Sequence, residues 1–114
     1  MASKALVAAS SRPLILSILA HGESYGYEII KNVEQLSGGE LEWTDAMLYP
    51  VLHRLEKEGL IQSQWKVMDN GRKRKYYALT VQGKEALAAE KSQWLNVHSA
   101  LLQLWSGGFS PGQA

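Results

Sequence analysis

TDAMLYPVLHRLEKEGLIQSQWKVMDNGRKRKYYALT, from Thr44 to Thr80, reads as one helix followed directly by a two-stranded hairpin with a basic tip. Thr44 suits an N-cap, because its side-chain oxygen can accept an amide hydrogen that the first turn leaves orphaned, and Asp45 suits the positive end of the helix dipole. Leu48, Val51, Leu52 and Leu55 follow helical spacing, and Gly59 is a good helix stop. Ile61 to Met68 and Arg74 to Leu79 have the composition of strands. Asp69-Asn70-Gly71 joins them, and Asn-Gly is a strong hairpin-turn signal. A helix leading into a hairpin tipped by Arg72, Lys73, Arg74 and Lys75 suggests a winged DNA-binding unit.

Charge supports that reading by its distribution. The whole chain of 114 residues carries a formal net charge of only +1. Lys66 to Lys75 holds five basic residues and one acid, Asp69, a local balance of +4, so the remainder sums to −3. Cations gathered on a near-neutral body suit a phosphate-facing element; the plainer alternative is a solvated turn. The length fits one domain with a modest core, small enough to gain stability by dimerising. Four Trp and five Tyr exceed what so small a core needs, which leaves aromatic surface for a partner. There is no cysteine, so disulfides and thiolate metal sites are excluded. The apolar N-terminal segment, interrupted by Arg12-Pro13, is too short to span a bilayer, and a soluble cytoplasmic protein without a membrane partner is expected.

Upstream, the order of the weakly apolar Met1–Ser11 is left open. Pro13 is placed in the first turn of a helix, where its missing N–H costs nothing. That helix carries Leu14, Ile15, Ile18 and Leu19 and stops near Gly22, with an apolar face wide enough to be buried against two surfaces. Ser24 is expected to start a second helix ending at Gly38-Gly39. Inside it Gly26 costs roughly 1 kcal/mol against alanine, a cost that a close helix crossing would justify. Glu40–Trp43 is then an extended linker, a candidate third strand beside the wing. Thr80 caps a final helix from Val81 to about Trp105. Leu87, Trp94 and Leu101 fall seven apart along it, His98 and Trp105 continue the stripe, and Leu95 and Leu102 widen it. Such a stripe has little left to pack on in its own chain, whereas two copies would cover each other.

In order and spacing, YGYEI (Tyr25–Ile29), LYPVLHRLEKEGLI (Leu48–Ile61) and GRKRKYYALTVQG (Gly71–Gly83) resemble the PadR family of bacterial transcriptional regulators. The resemblance implies a mainly α protein with a small β-hairpin: a winged helix-turn-helix plus a long C-terminal dimerisation helix. It implies a homodimer on a palindromic double-stranded DNA operator, usually as a repressor. Residues 1–79 would form the DNA-binding domain, whose first helix also contributes to the dimer, residues 80–105 the dimerisation helix, and residues 106–114 a flexible tail. The short final helix is similar to the branch with multidrug-responsive members, in which a tryptophan at the dimer interface stacks on flat ligands. Trp94 falls at that position, with His98 one turn on; a small aromatic or cationic ligand is the further partner implied. The chain departs from the family just before Leu48, where a small or hydroxyl residue is usual. Met47 stands there, and a thioether cannot donate a hydrogen bond.

The expected DNA contacts are thus Thr44, Asp45, Met47, Tyr49, His53 and Arg54 on the recognition helix, and Arg72, Lys73, Arg74, Lys75 and Tyr77 on the wing. Tyr49 is the leading candidate, through its hydroxyl, against a plain role in the core. Arg54 could instead pair with Glu58. Tyr76 and Tyr77 alternate, so one of them packs inward. Trp65, midway in the first wing strand, reads as core or sheet cover rather than as a DNA contact. The expected dimer interface is Leu14, Ile18, Leu87, Trp94, Leu95, Leu101, Leu102 and Trp105; the bland reading of Trp94 and Trp105 is dimer core with no ligand. His21, His53 and His98 show no metal-ligand spacing, and no cofactor or enzyme signature appears. The alternative function is a winged-helix protein-interaction module that never binds DNA.

Overall fold

A computed structural model describes residues 3–112. The ends of the expected N-terminal domain and tail, residues 1, 2, 113 and 114, lie outside the described residues. The order is α1 (Lys4–Ala20), β1 (Ser24–Tyr25), α2 (Gly26–Leu36), α3 (Asp45–Lys57), β2 (Ile61–Val67), β3 (Lys73–Leu79) and α4 (Val81–Trp105). The protein is therefore mainly helical, with a small antiparallel sheet in the order β1-β3-β2 and a long C-terminal helix.

The first helix begins well before Pro13. Ser3 caps it, accepting from the Leu6 amide at 3.1 Å, and Pro13 lies in its middle. The alanine-rich opening turns have high helix propensity. Pro13 removes one internal bond, a loss of about 3 kcal/mol in an isolated helix. Burial offsets it: Ile15, Leu16 and Leu19 are all in the core, and α1 touches α2, α3, β3 and α4. The broad apolar face is thus covered from several sides. Leu14 and Ile18 pack half-buried on this same core.

Ser24 does not cap α2. It pairs with Tyr77, and Tyr25 with Tyr76, so these two residues form the third strand. The backbone there is satisfied by β3, and the buried Ser24 hydroxyl donates to the Glu28 carboxylate at 2.6 Å. The helix starts only at Gly26. Glu40–Trp43, read as an extended linker and a candidate third strand, forms no strand, and its Trp43 side chain is buried in the core. The crossing expected at Gly26 is present. A β-carbon there would lie 2.5 Å from the Tyr49 hydroxyl oxygen and 3.5 Å from Leu48 Cδ2, so α2 and α3 meet where the side chain is missing.

Leu48, Leu52 and Leu55 of α3 complete the core with Ile29, Val33, Ile61 and Tyr77. The start of α4 is fixed beside the α3–β2 junction. Thr80 N–H donates to the Leu60 carbonyl at 3.0 Å, the Thr80 hydroxyl donates to the Gly59 carbonyl at 2.6 Å, and the same oxygen caps α4 by accepting from Gly83 N–H. Arg12 ties three helices together, pairing with Glu58 at the end of α3 (2.6 Å) and with Glu90 on α4. Those carboxylates push the Arg12 guanidinium above its usual range, the hydrogen bond to Glu58 being the largest cause. At the far end, Gly108 N–H donates to the Gln103 carbonyl at 2.9 Å, so the expected loose tail begins as a capping turn.

Candidate nucleic-acid interface

Helix α3 forms as the spacing requires. Thr44 accepts from the Met47 amide at 3.3 Å, and Asp45 lies in the first turn. With Leu48, Leu52 and Leu55 turned inward, about 100° per residue places Ala46, Pro50, His53, Arg54 and Lys57 on the opposite face, and all five are exposed. Lys57 joins this surface although it is absent from the contacts expected of the sequence. Its position two turns after Pro50 is the signal that could have found it. Arg54 is not held by Glu58, because Arg12 takes that carboxylate.

The flanks of α3 differ from expectation. Tyr49 faces the sheet side, and its hydroxyl rests where Gly26 leaves room, so the group expected to reach DNA points toward α2. Tyr49 as a whole is 37% exposed. Met47 lies on the other flank. With Val7, Trp43 and Leu48 it lines a cleft of about 590 Å³ between α1 and the start of α3.

The wing runs in unbroken register from Ile61↔Leu79 to Val67↔Lys73. Its turn is closed by Met68 N–H to Arg72 O (2.7 Å), Gly71 N–H to Met68 O (2.9 Å) and Arg72 N–H to the Asn70 side chain (3.0 Å), with Gly71 at φ 82°. Alternation puts Lys73, Lys75 and Tyr77 on one face and Arg74 and Tyr76 on the other. The first face packs on α3 at its base. Tyr77 is 1% exposed, and the Ser63 hydroxyl donates to the Glu56 carboxylate of α3. Tyr77 is therefore a core residue and not a DNA contact. Burial is the first cause raising its phenol above the usual range, and its hydroxyl has no partner among the described residues.

The second face is bound to the protein itself. The Arg74 guanidinium lies 4.0 Å from the Tyr25 ring centroid, Lys66 pairs with Glu23 and sits 4.8 Å over Tyr76, and Tyr25 meets Tyr76 edge-on at 5.4 Å. Arg74, expected among the DNA contacts, thus lies against β1 through Tyr25. Lys75 Nζ stands 5.6 Å from the Tyr77 ring centroid and 5.9 Å from that of Trp65, whereas among the described residues Arg72 and Lys73 show no ion pair or ring contact. Trp65 itself is 62% exposed, which corrects its reading as core or sheet cover.

Every residue of α4 from Lys91 to Trp105 is exposed in the single chain, Trp94 at 41% and Trp105 at 73%. Leu95, Leu101 and Leu102 share that exposure, and His98 stands one turn from Trp94. Leu87 differs from the rest of the stripe: it is half-buried on its own chain's core. Among the described residues no group of His, Cys, Asp and Glu could hold a metal ion, and no helix is long and apolar enough to cross a membrane.

A helical body with a basic antiparallel hairpin beside an exposed, capped helix defines a class of nucleic-acid-binding fold. Residues 15–89 match the model of the transcriptional regulator PadR-like family, and the chain belongs to that family of DNA-binding transcriptional regulators. It is similar to the transcriptional regulator Rv3488 of Mycobacterium tuberculosis, with 36% identity over 83 residues that span 73% of this chain and 74% of that protein. Among solved structures it resembles a transcriptional regulator from Clostridium thermocellum, at TM-score 0.80 and 28% identity, covering 90% of this chain and 97% of the other. A PadR-like regulator from Bacillus cereus gives TM-score 0.79 and 30% identity over the same shares, 90% and 97%.

Proposed function

We propose that two copies of this chain pair through α4 and act as a repressor on an inverted-repeat operator. Each protomer places the outward face of α3 in a major groove, and Arg72, Lys73 and Lys75 neutralise the flanking backbone. One observation carries this reading: the sheet face that packs on α3 also bears Lys73 and Lys75. Helix and cations therefore present to one side of the molecule. The two-fold axis then sets half-sites about 34–36 Å apart. Neutralising Arg72, Lys73 and Lys75 together is expected to weaken binding in gel shifts and to reduce the log–log salt slope by about 0.9 for each phosphate no longer neutralised. A slope equal to that of the unaltered protein would remove the wing from the interface. A winged-helix protein-interaction module is the competing function, and its mark would be no DNA sequence enriched by the protein from genomic fragments.

The exposed Trp94 supports a second element of the reading. A flat aromatic or cationic ligand stacks on Trp94 beside His98 between the protomers and favours one spacing of the two α3 helices. Such a shift requires different ligand affinities in the two spacings. Titration with a planar dye such as ethidium is expected to quench tryptophan emission in the native protein and to lose most of that quenching in Trp94→Ala. Equal quenching in both proteins would assign the dye elsewhere.

A further inference from the structure

The wing face that continues from α3 is only half explained by its lysines. Trp65 pairs directly across the strands with Lys75, and Val67 with Lys73. Both apolar side chains are open, Trp65 at 62% and Val67 at 68% exposure. The outer half of this face is thus a small array with apolar groups on β2 and cations on β3. Farther in, the same face is dry, closed by Tyr77, Ile61 and the Ser63–Glu56 hydrogen bond. The nearest acid at the tip is Asp69, in the turn itself.

Resting on the reading that this protein binds DNA, we infer that Trp65 is a DNA-contacting residue. Its indole, flanked by Val67, packs on the deoxyribose edges of the backbone whose phosphates are met by Lys73 and Lys75. Two properties select this occupant. A nucleic-acid backbone alternates anionic phosphates with apolar sugar faces, which is the alternation that the paired strands offer. The array is also continuous with the face against α3, so a duplex on α3 reaches it without a separate docking event. A protein partner would meet two cations, Lys73 and Lys75, beside two apolar side chains. The indole adds affinity through area removed from water, and this separates it from its neighbours: phosphate binding depends on salt by counterion release, whereas apolar burial does not.

The test uses the full chain and a duplex that the unaltered protein recovers from a randomised pool, titrated over a range of salt. Trp65→Ala is expected to bind about ten-fold more weakly, as loss of about 55 Å² of apolar burial at ~25 cal/mol per Å² implies, with the salt slope unchanged. Lys75→Gln is expected to lower the slope by about 0.9. Trp65→Phe is expected to retain most of the affinity. Should the alanine variant melt early, Trp65→Gln against Trp65→Phe makes the same comparison at near-constant size. If Trp65→Ala or Trp65→Gln binds like the unaltered protein, the inference fails while DNA binding by α3 and the lysines stands. If the pool yields no duplex at all, both fail. A Trp65 variant that changes sedimentation behaviour would make this face a protein interface and would also overturn the inference.

Discussion

Leu95→Glu combined with Leu102→Glu is expected to leave a folded monomer at micromolar concentration and to weaken operator binding by about 10²–10⁴-fold. The two residues lie seven apart on one face of α4, at 57% and 50% exposure, so neither change removes packing from its own chain. What they alter is the surface that includes Trp94, Leu101 and Trp105. Each tryptophan can bury about 150–250 Å² in a dimer, worth several kcal/mol at about 25 cal/mol per Å². Carboxylates within that surface would have to be buried unpaired or kept in water, and either outcome opposes association. DNA affinity falls because one half-site no longer delivers its partner to the other. Sedimentation velocity reads the first effect and gel shift the second. A double variant that remains dimeric would move the interface off α4.

Gly83→Ala is expected to cost about 3 kcal/mol and to lower the melting midpoint by on the order of 10 °C. The β-carbon would collide with the Leu60 carbonyl oxygen and lie 2.7 Å from Leu79 Cδ1. A side-chain tip could swing aside, but Leu60 O belongs to the backbone and already accepts from Thr80 N–H. Relief therefore requires α4 to move off the α3–β2 junction, breaking the bonds by which Thr80 joins the wing to the last helix. The exposed half of α4 would keep its own helical bonds while losing its fixed direction. In thermal denaturation, a midpoint equal to that of the unaltered protein would show that the junction yields without cost.

The sequence by itself determined much of this protein. The starts of α3 and α4 and the place of the hairpin turn follow from Thr44, Thr80 and Asp69-Asn70-Gly71, because caps and turns are local chemistry acting over a few residues. The family is legible too, since its motifs are strings in order. Where two distant segments compete for one residue, the local signal gives way. Pro13 looks like a helix start, but burial of Ile15, Leu16 and Leu19 carries the helix through it. Ser24 looks like a cap, but Tyr77 claims its backbone as an edge strand. The candidate site follows the same division. That the wing is basic is plain in the sequence, but which cations are free depends on Tyr25 and Glu23 occupying Arg74 and Lys66. Tyr49 has the position of a DNA-facing residue, yet the vacancy at Gly26, contributed by another helix, receives its hydroxyl. Gly83 marks the limit most clearly. In sequence it is a tolerated glycine in a first turn, and only the approach of Leu60 shows why no side chain fits there. Periodicity, caps and turns fix what each segment is. Which side chains are left over for a partner is decided only when the segments meet.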